Sequence, residues 1–166
     1  MLSAAICVLP TVASPRTTAP IEIAERDNTQ KAALAAGLAA LEACSAQGYL
    51  VAIVVSDATG NVEVTLRADG ARAHLLEGAM HKAHMSALLR IPTAQLVKTI
   101  ARNPSAAGLL AFDQFTAPGG GLPIRADNET IGGIGVAGVP VGGAGGAGGA
   151  GDESCAKTRL ERLGVK

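Results

Sequence analysis

The chain has 166 residues, of which 48% are hydrophobic, and it carries 14 basic and 14 acidic residues. This length suits one domain with a single packed core. The formal net charge is zero and only 2% of the residues are aromatic. The chain therefore lacks both the positive electrostatic field and the aromatic stacking surfaces that favour nucleic-acid binding. We expect no nucleic-acid partner, and a core built from Ala, Val, Ile and Leu.

The N-terminal stretch from Leu2 to Ala13 is apolar and is followed by a segment rich in Pro and Thr. Its length suits the apolar part of a signal peptide and is too short to span a bilayer, although the usual basic residues before it are missing. We predict that residues 1–20 are a truncated signal peptide or a flexible arm and that residues 21–166 form the domain. This pattern favours export to the periplasm or the extracellular space, with a cytoplasmic location as the alternative.

The three cysteines, Cys7, Cys44 and Cys155, are far apart and form no CxxC pair. This spacing predicts neither a disulfide scaffold nor a structural zinc site. We expect Cys44 and Cys155 to be small buried side chains on helices.

The first half of the chain predicts a helix and a hairpin. Asp27 or Asn28 caps a helix over residues 29–47, whose apolar residues recur at helical spacing (Ala33, Leu34, Leu38, Leu41 and Cys44). Residues 49–56 form a continuous apolar run typical of a strand covered on both faces. After a turn at residues 57–61, the alternating segment 62–67 completes an antiparallel hairpin.

The second half predicts two long helices, a second hairpin and a final helix. Asp69 precedes a helix over residues 71–89, and the later elements are a helix over 93–102, a short helical piece over 105–111, strands over 122–125 and 130–136 joined at Asp127-Asn128, and a helix that begins near Asp152-Glu153. The glycine-rich segment 142–151 is expected to be a mobile surface loop.

Six short motifs follow one another in a characteristic order: Asp57-x-x-Gly60, Asp69-Gly70-Ala71, Lys82-Ala83, Gly120-Gly121-Leu122-Pro123-Ile124, Ile131-Gly132-Gly133-Ile134-Gly135-Val136 and Asp152-Glu153-x-Cys155-Ala156. With these motifs the chain resembles the GlcG/HbpS heme-binding-protein family over roughly residues 30–163. It is also similar to the C-terminal domain of some corrinoid adenosyltransferases.

The resemblance implies an α+β fold, with a central antiparallel sheet of about five strands flanked by helices, assembled as dimers to octamers. It implies a small-ligand-binding protein, with heme or another tetrapyrrole as the ligand. The chain departs from the family where His84-Met85-Ser86 replaces the usual x-Thr-Ala, so a ligand role for that threonine cannot be transferred.

The glycine motifs predict a ligand cleft. We expect the helix start at Asp69, Gly70 and Arg72 to face the loop at Gly120 and Gly121, so that backbone amides and the guanidinium hold a carboxylate or a heme propionate. A capping role for Asp69 alone is the simpler alternative. The glycines of the last strand indicate close approach by a helix.

All three histidines lie on the long helix, where His74, Glu77, His81 and His84 share one face. This set could bind a transition metal, or one imidazole could be an axial ligand of heme, with Met80 and Met85 as thioether alternatives. A solvent-exposed polar stripe is the competing interpretation, because Leu75, Ala79, Ala83 and Ala87 form the expected buried face.

Three functions follow from these patterns. The first is a non-enzymatic heme- or tetrapyrrole-binding protein. The second is an enzyme or accessory protein that acts on a small hydroxy or keto carboxylate in glycolate-type metabolism, although the sequence offers no nucleophile and base pair. The third is a purely structural assembly module.

Overall fold

A computed structural model describes residues 27–116, 118–140 and 149–162 of the chain. Its elements, in chain order, are α1 (Gln30–Ser45), β1 (Ala52–Asp57), β2 (Val62–Arg67), α2 (Leu75–Leu89), α3 (Thr93–Arg102), a 3-10 helix (Pro104–Ala111), β3 (Gly121–Ala126), β4 (Glu129–Ala137) and α4 (Ala150–Arg162). The predictions for residues 1–20 and for most of the glycine-rich segment 142–151 lie outside the described residues.

The four strands of the described residues form one antiparallel sheet in the order β2-β1-β4-β3. This confirms the predicted α+β fold, the two hairpins and the central position of β1, with four strands in place of the expected five or so. Asp127 and Asn128 join β3 to β4 with φ values of 48° and 73°, the two left-handed positions that a tight hairpin turn requires.

Helices cover both faces of the sheet. On one face α1 packs against Ile53, Val55, Ile134 and Val136, and on the other α2 packs against Ala52 and Val54. Because β1 is covered on both sides, all its residues from Ala52 to Ser56 are buried.

Helix α1 begins one residue later than predicted and turns a different face inward. Thr29 caps it by accepting the Ala32 amide at 3.3 Å, whereas the Asp27 carboxylate accepts the amides of Asn28 and Ala58. Small residues and Cys44 face the sheet, and Leu34 and Leu38 are 43% and 44% exposed. Although Leu34 and Leu38 belong to the apolar pattern that predicts this helix, they therefore lie outside the core.

Helix α2 approaches the sheet closely at three glycines, Gly121, Gly133 and Gly135, which we call the glycine seam. A methyl group at Gly133 or Gly135 would overlap the carbonyl oxygen of Ala83 or Ala79, and one at Gly121 would overlap that of Lys82. Backbone therefore packs directly on backbone, as the glycines of the last strand predict.

The cysteine prediction is wrong in its main point. Cys44 and Cys155 are buried on helices as expected, but they form a disulfide between α1 and α4, with a sequence separation of 111 residues. Cysteine spacing cannot show this pair, because only the packing of α4 beside α1 brings the two Cβ atoms together.

The start of α4 is fixed by two carboxylates. Asp152 accepts a charge-assisted hydrogen bond from the buried Lys82 Nζ at 2.8 Å, and the same Nζ donates to Val136 O at 2.9 Å. Glu153 Oε1 accepts the amides of Ala94 and Gly120 at 3.1 and 3.3 Å. The last helix thus joins α2, α3, β4 and the turn before β3.

Candidate functional site

The segment between β2 and α2 is a turn followed by an irregular stretch, and the prediction that Asp69-Gly70-Ala71 opens a helix is wrong. Helix α2 begins only at Leu75, after His74, and Asp69 is exposed. Gly70 adopts a φ of 79° and the Ala71 amide donates to Ala68 O at 3.0 Å, which closes a turn before the helix. Arg67 Nη1 donates to Ala71 O at 2.6 Å and holds this turn against β2.

A pocket of about 490 Å³ lies between this segment, the residues before β1 and the residues after β4. Its volume falls in the range of small-molecule sites. We call it the Arg72 pocket, and it is lined by Gly48, Tyr49, Leu50, Gly70, Ala71, Arg72, His74, Leu75, Gly138 and Pro140.

Local backbone interactions position two of its walls. The Tyr49 amide donates to Cys44 O at 3.1 Å, which turns the chain sharply after α1 and presents Tyr49 and Leu50 to the pocket. On the other side Gly138 has a φ of 137°, and a methyl group there would lie 2.5 Å from Leu50 O. Only glycine lets these two walls approach each other.

The chemistry of the Arg72 pocket is mixed. Leu50 and Leu75 provide apolar surface, whereas Arg72 and His74 are exposed and bring a guanidinium and an imidazole. A guanidinium binds carboxylates or phosphates, and an imidazole is a ligand for transition metals. This combination suits a flat apolar ligand that carries an anionic group.

A second opening, which we call the Met80 groove, lies beside the first and has a volume of about 560 Å³. Its lining consists of Val54, Val62, Thr65, Ala73, His74, Leu76, Glu77 and Met80. His74 lines both openings, since it stands at the start of α2 between them. Of the four residues predicted to share one face of the helix, His74 and Glu77 line this groove together with Met80, whereas His81 and His84 do not.

The other two histidines lie away from the Arg72 pocket. His84 Nδ1 is 3.1 Å from Gly60 O, and its ring meets Phe115 edge to face at 6.0 Å, so this imidazole is engaged by the turn after β1. His81 is half-buried. Among the described residues no three His, Cys, Asp or Glu side chains come close enough to hold a metal ion. Met85 is fully buried in the core.

Gly120 and Gly121 also lie outside the Arg72 pocket. The Gly121 amide donates to Thr93 Oγ1 at 2.9 Å, and the space beside both glycines is filled by Lys82. They lie at the same end of the sheet as Gly70, but β2 and β3 are opposite edge strands, roughly 14 Å apart across three strand spacings. The predicted cleft between these two motifs is therefore not formed.

Sequence reasoning missed Tyr49, Leu50 and Pro140, which line the pocket. Tyr49 is the only tyrosine of the chain, but its place in an apolar run indicated a strand. The buried pair of Lys82 and Asp152 was missed too, because 70 residues separate its members.

Two carboxylates at the end of the sheet opposite the Arg72 pocket, those of Asp57 and Glu63, have shifted pKa values. Burial raises the pKa of Asp57, but hydrogen bonds from Asn61 and Thr59 outweigh it, so the net pKa is lowered. Burial raises the pKa of Glu63, the Asn28 amide lowers it, and the charges of Asp27 and Asp57 raise it further. Glu63 Oε2 and Asn28 Oδ1 are buried and have no hydrogen-bond partner within the described parts of the chain.

The fold defines a class of small α+β domains with a four-stranded antiparallel sheet, and comparison with known proteins gives the family. The family of haem-degrading, HbpS-like proteins matches residues 29–161. The chain belongs to this HbpS-like family.

Solved structures agree with this assignment. A double mutant of HbpS from Streptomyces reticuli is 32% identical, with a TM-score of 0.76, over 93% of this chain and 99% of that one. ORFY from Klebsiella pneumoniae has a TM-score of 0.76 at 21% identity, over 90% of this chain and 99% of that chain. The PduOC domain, solved as a heme complex, has a TM-score of 0.71 at 24% identity, over 84% and 97% of the two chains. No curated protein sequence matches the chain.

No helix within the described ranges is both long and apolar enough to cross a membrane.

Proposed function

We propose that this protein binds heme or a related tetrapyrrole in the Arg72 pocket. Family membership supports the ligand class, since HbpS gives the family its name and PduOC has been solved with heme. The observation that carries the proposal in this chain is the presence of Arg72 and His74 in one pocket with apolar walls.

The residues of the pocket fit such a ligand. Leu50 and Leu75 offer apolar contact to a macrocycle, and the exposed Arg72 offers a partner for a propionate. The His74 imidazole would be the protein's ligand to the heme iron. When bound, heme would supply an iron centre, and the protein would supply this ligand, the carboxylate partner and the apolar surface.

The Met80 groove is the weaker candidate for the same ligand. It also contains His74, and Met80 adds a thioether, but its charged residue is Glu77. A carboxylate repels the propionates of heme, whereas Arg72 attracts them. Charge therefore favours the Arg72 pocket.

A hemin titration of the purified protein tests the proposal. We expect a shifted Soret band that saturates at one hemin per chain in the wild type. His74→Ala should change the position of that band and weaken binding, because it removes the axial imidazole. His81→Ala is the matched control on the same helix and should leave the spectrum unchanged.

Two results would contradict the proposal. An unchanged Soret band at stoichiometric hemin would exclude heme binding, and equal effects of His74→Ala and His81→Ala would exclude the Arg72 pocket as the site. If millimolar glycolate or glyoxylate competes with hemin for the site, this would favour a small carboxylate as the natural ligand.

We further infer that the protein self-associates. Support comes from the 3-10 helix and the residues after it, where no residue from Pro104 to Ala111 is buried and Phe112 is 63% exposed. Apolar surface of this kind usually marks an interface. Light scattering should give a mass of at least two chains, and Phe112→Asp should reduce it; a monomeric wild type would contradict the inference.

We also propose that the protein is exported. The Cys44–Cys155 disulfide supports an oxidising compartment. Fractionation of the native cells, with mass spectrometry of the mature N-terminus, would test it. Recovery of the intact chain with both thiols reduced from the cytoplasm would contradict it.

A further inference from the structure

The Cys44–Cys155 disulfide joins two helices that are each hydrogen-bonded to a wall of the Arg72 pocket. Cys44 is in the last turn of α1, and Cys155 is in the second turn of α4. Each cysteine belongs to a helix segment that holds one wall of the pocket through a hydrogen bond.

On the α1 side the connection runs through a carbonyl group. Cys44 O accepts the amides of Gln47 and Tyr49, both at 3.1 Å. These bonds close the turn from which Tyr49 and Leu50 line the pocket. A shift of Cys44 therefore moves this wall.

On the α4 side the connection runs through Asp152, which precedes Cys155 by three residues and lies on the same face of the helix. Asp152 Oδ1 accepts the Val139 amide at 2.9 Å. Val139 stands between Gly138 and Pro140, the two residues of the opposite wall. The position of α4 therefore sets the position of this wall.

We propose that the Cys44–Cys155 disulfide is a redox-controlled brace of the Arg72 pocket, so that the oxidised protein binds its ligand tightly and the reduced protein binds it weakly. This proposal rests on the binding function proposed above. The disulfide joins α1 to α4, and the hydrogen bonds accepted by Cys44 O and Asp152 Oδ1 connect these helices to the two walls. Reduction leaves the two helices joined only by non-covalent contacts.

The redox chemistry requires a dithiol reductant. A thiolate of the reductant attacks one sulfur, and a second thiolate resolves the mixed disulfide. The Sγ–Sγ bond breaks, two electrons and two protons pass to Cys44 and Cys155, and the reductant becomes a disulfide. Because the two cysteines are 0% and 1% exposed, the reductant reaches them only when α4 separates from α1. The bond is thus formed or broken mainly when this part of the fold opens.

The effect on affinity comes from preorganisation. A pocket whose walls are fixed before binding loses less conformational freedom when the ligand enters. Releasing the brace restores that freedom in the unliganded protein. We expect hemin to bind about tenfold more weakly to the reduced form, which corresponds to about 1.4 kcal/mol.

The experiment uses the full chain with Cys7→Ser, which prevents thiol exchange with the third cysteine. Hemin affinity is measured for the oxidised form, for the form reduced with dithiothreitol, and for Cys44→Ala/Cys155→Val, which keeps apolar volume without the bond. Circular dichroism establishes that each form is folded. Hydrogen exchange is followed without hemin at the amides of Tyr49 and Val139, with the Asn28 amide, which donates to Ile131 O at the far end of the sheet, as the control.

Weaker hemin binding in both bond-free forms, with faster exchange at Tyr49 and Val139 but not at Asn28, would support the brace. Equal hemin affinity in folded oxidised and reduced forms would overturn it. If the oxidised protein binds no hemin, the proposed function fails. The brace is then tested by hydrogen exchange alone, and unchanged exchange rates at Tyr49 and Val139 on reduction would overturn it.

Discussion

The glycine seam and the Arg72 pocket both contain glycines, but Gly133 and Gly135 of the seam have different surroundings from Gly70 of the pocket. At Gly133 and Gly135 this space is filled by the backbone of α2, and nothing larger than hydrogen fits. At Gly70 an added methyl group would meet only the end of the Leu50 side chain, at 3.6 Å. Glycine in the seam is a packing requirement, whereas Gly70 leaves room beside Arg72 for a ligand.

This contrast implies that changes in the seam should affect stability, whereas changes of the exposed side chain of Arg72 should affect ligand binding alone.

Lys82→Met should be the most damaging change. It leaves the Asp152 carboxylate, which is 4% exposed, without its cation, and breaking a buried pair in this way costs about 3–5 kcal/mol. Urea denaturation of this variant should be compared with that of Lys98→Met, which removes an exposed lysine from α3. A loss below about 1 kcal/mol would mean that the pair is not buried in solution.

Gly135→Ala should destabilise the protein by about 3 kcal/mol, at the upper end of the cost of overpacking, because the new methyl group overlaps Ala79 O. The matched control is Gly78→Ala on the facing helix, where the new methyl group would lie 3.6 Å from Ala137 Cβ. The control should be neutral or stabilising, since alanine favours helix. Equal melting temperatures of the two variants would disprove close backbone packing at the seam.

Arg72→Glu should weaken hemin binding about tenfold, or about 1.4 kcal/mol, and leave the free energy of unfolding unchanged. The reason is that Arg72 is exposed and lines the pocket. Lys98→Glu makes the same change in net charge away from the pocket. If both variants weaken hemin equally, the effect is one of overall charge and Arg72 has no specific part in binding.

The smallest effects should come from the carboxylates at the opposite end of the sheet. The pKa of Asp57 is lowered from its ordinary value of 3.8, so its contribution to stability is present above pH 3.8 and is lost as the pH falls further. The pKa of Glu63 is raised above 4.5, so its contribution is present below pH 4.5 and is lost as the pH rises through the higher folded value.

At pH 7, Asp57→Asn should therefore be destabilising and Glu63→Gln stabilising, each by less than about 1 kcal/mol. Denaturation curves at pH 3 and pH 7 measure both effects. Changes of the same sign at pH 7 would contradict the opposite shifts of the two groups.

The parts of the fold that the sequence predicts correctly depend on local chemistry. The alternation of Val62–Arg67, the left-handed turn at Asp127-Asn128 and the acids at the start of α4 each act over a few residues. The start of α2 was misplaced because Ala71-Arg72-Ala73 favours helix, whereas the bond from Arg67 to Ala71 O and the left-handed Gly70 keep this stretch irregular.

The site was harder to predict than the fold, since its parts come from three separate regions of the chain. Gly70 and Arg72 were identified as binding residues and lie in one pocket with His74, but the wall formed by Tyr49 and Gly138 depends on tertiary packing. The disulfide and the Lys82–Asp152 pair are non-local for the same reason.

The position of Asp152 also sets an order of events during synthesis. Lys82 is translated 70 residues before its counter-ion, so a nascent chain that has completed α2 and the sheet still carries an uncompensated ammonium group at the seam. We therefore expect α2 to complete its docking on β4 only after α4 has been synthesised, which would leave the unfinished sheet open to chaperones and to aggregation for that interval.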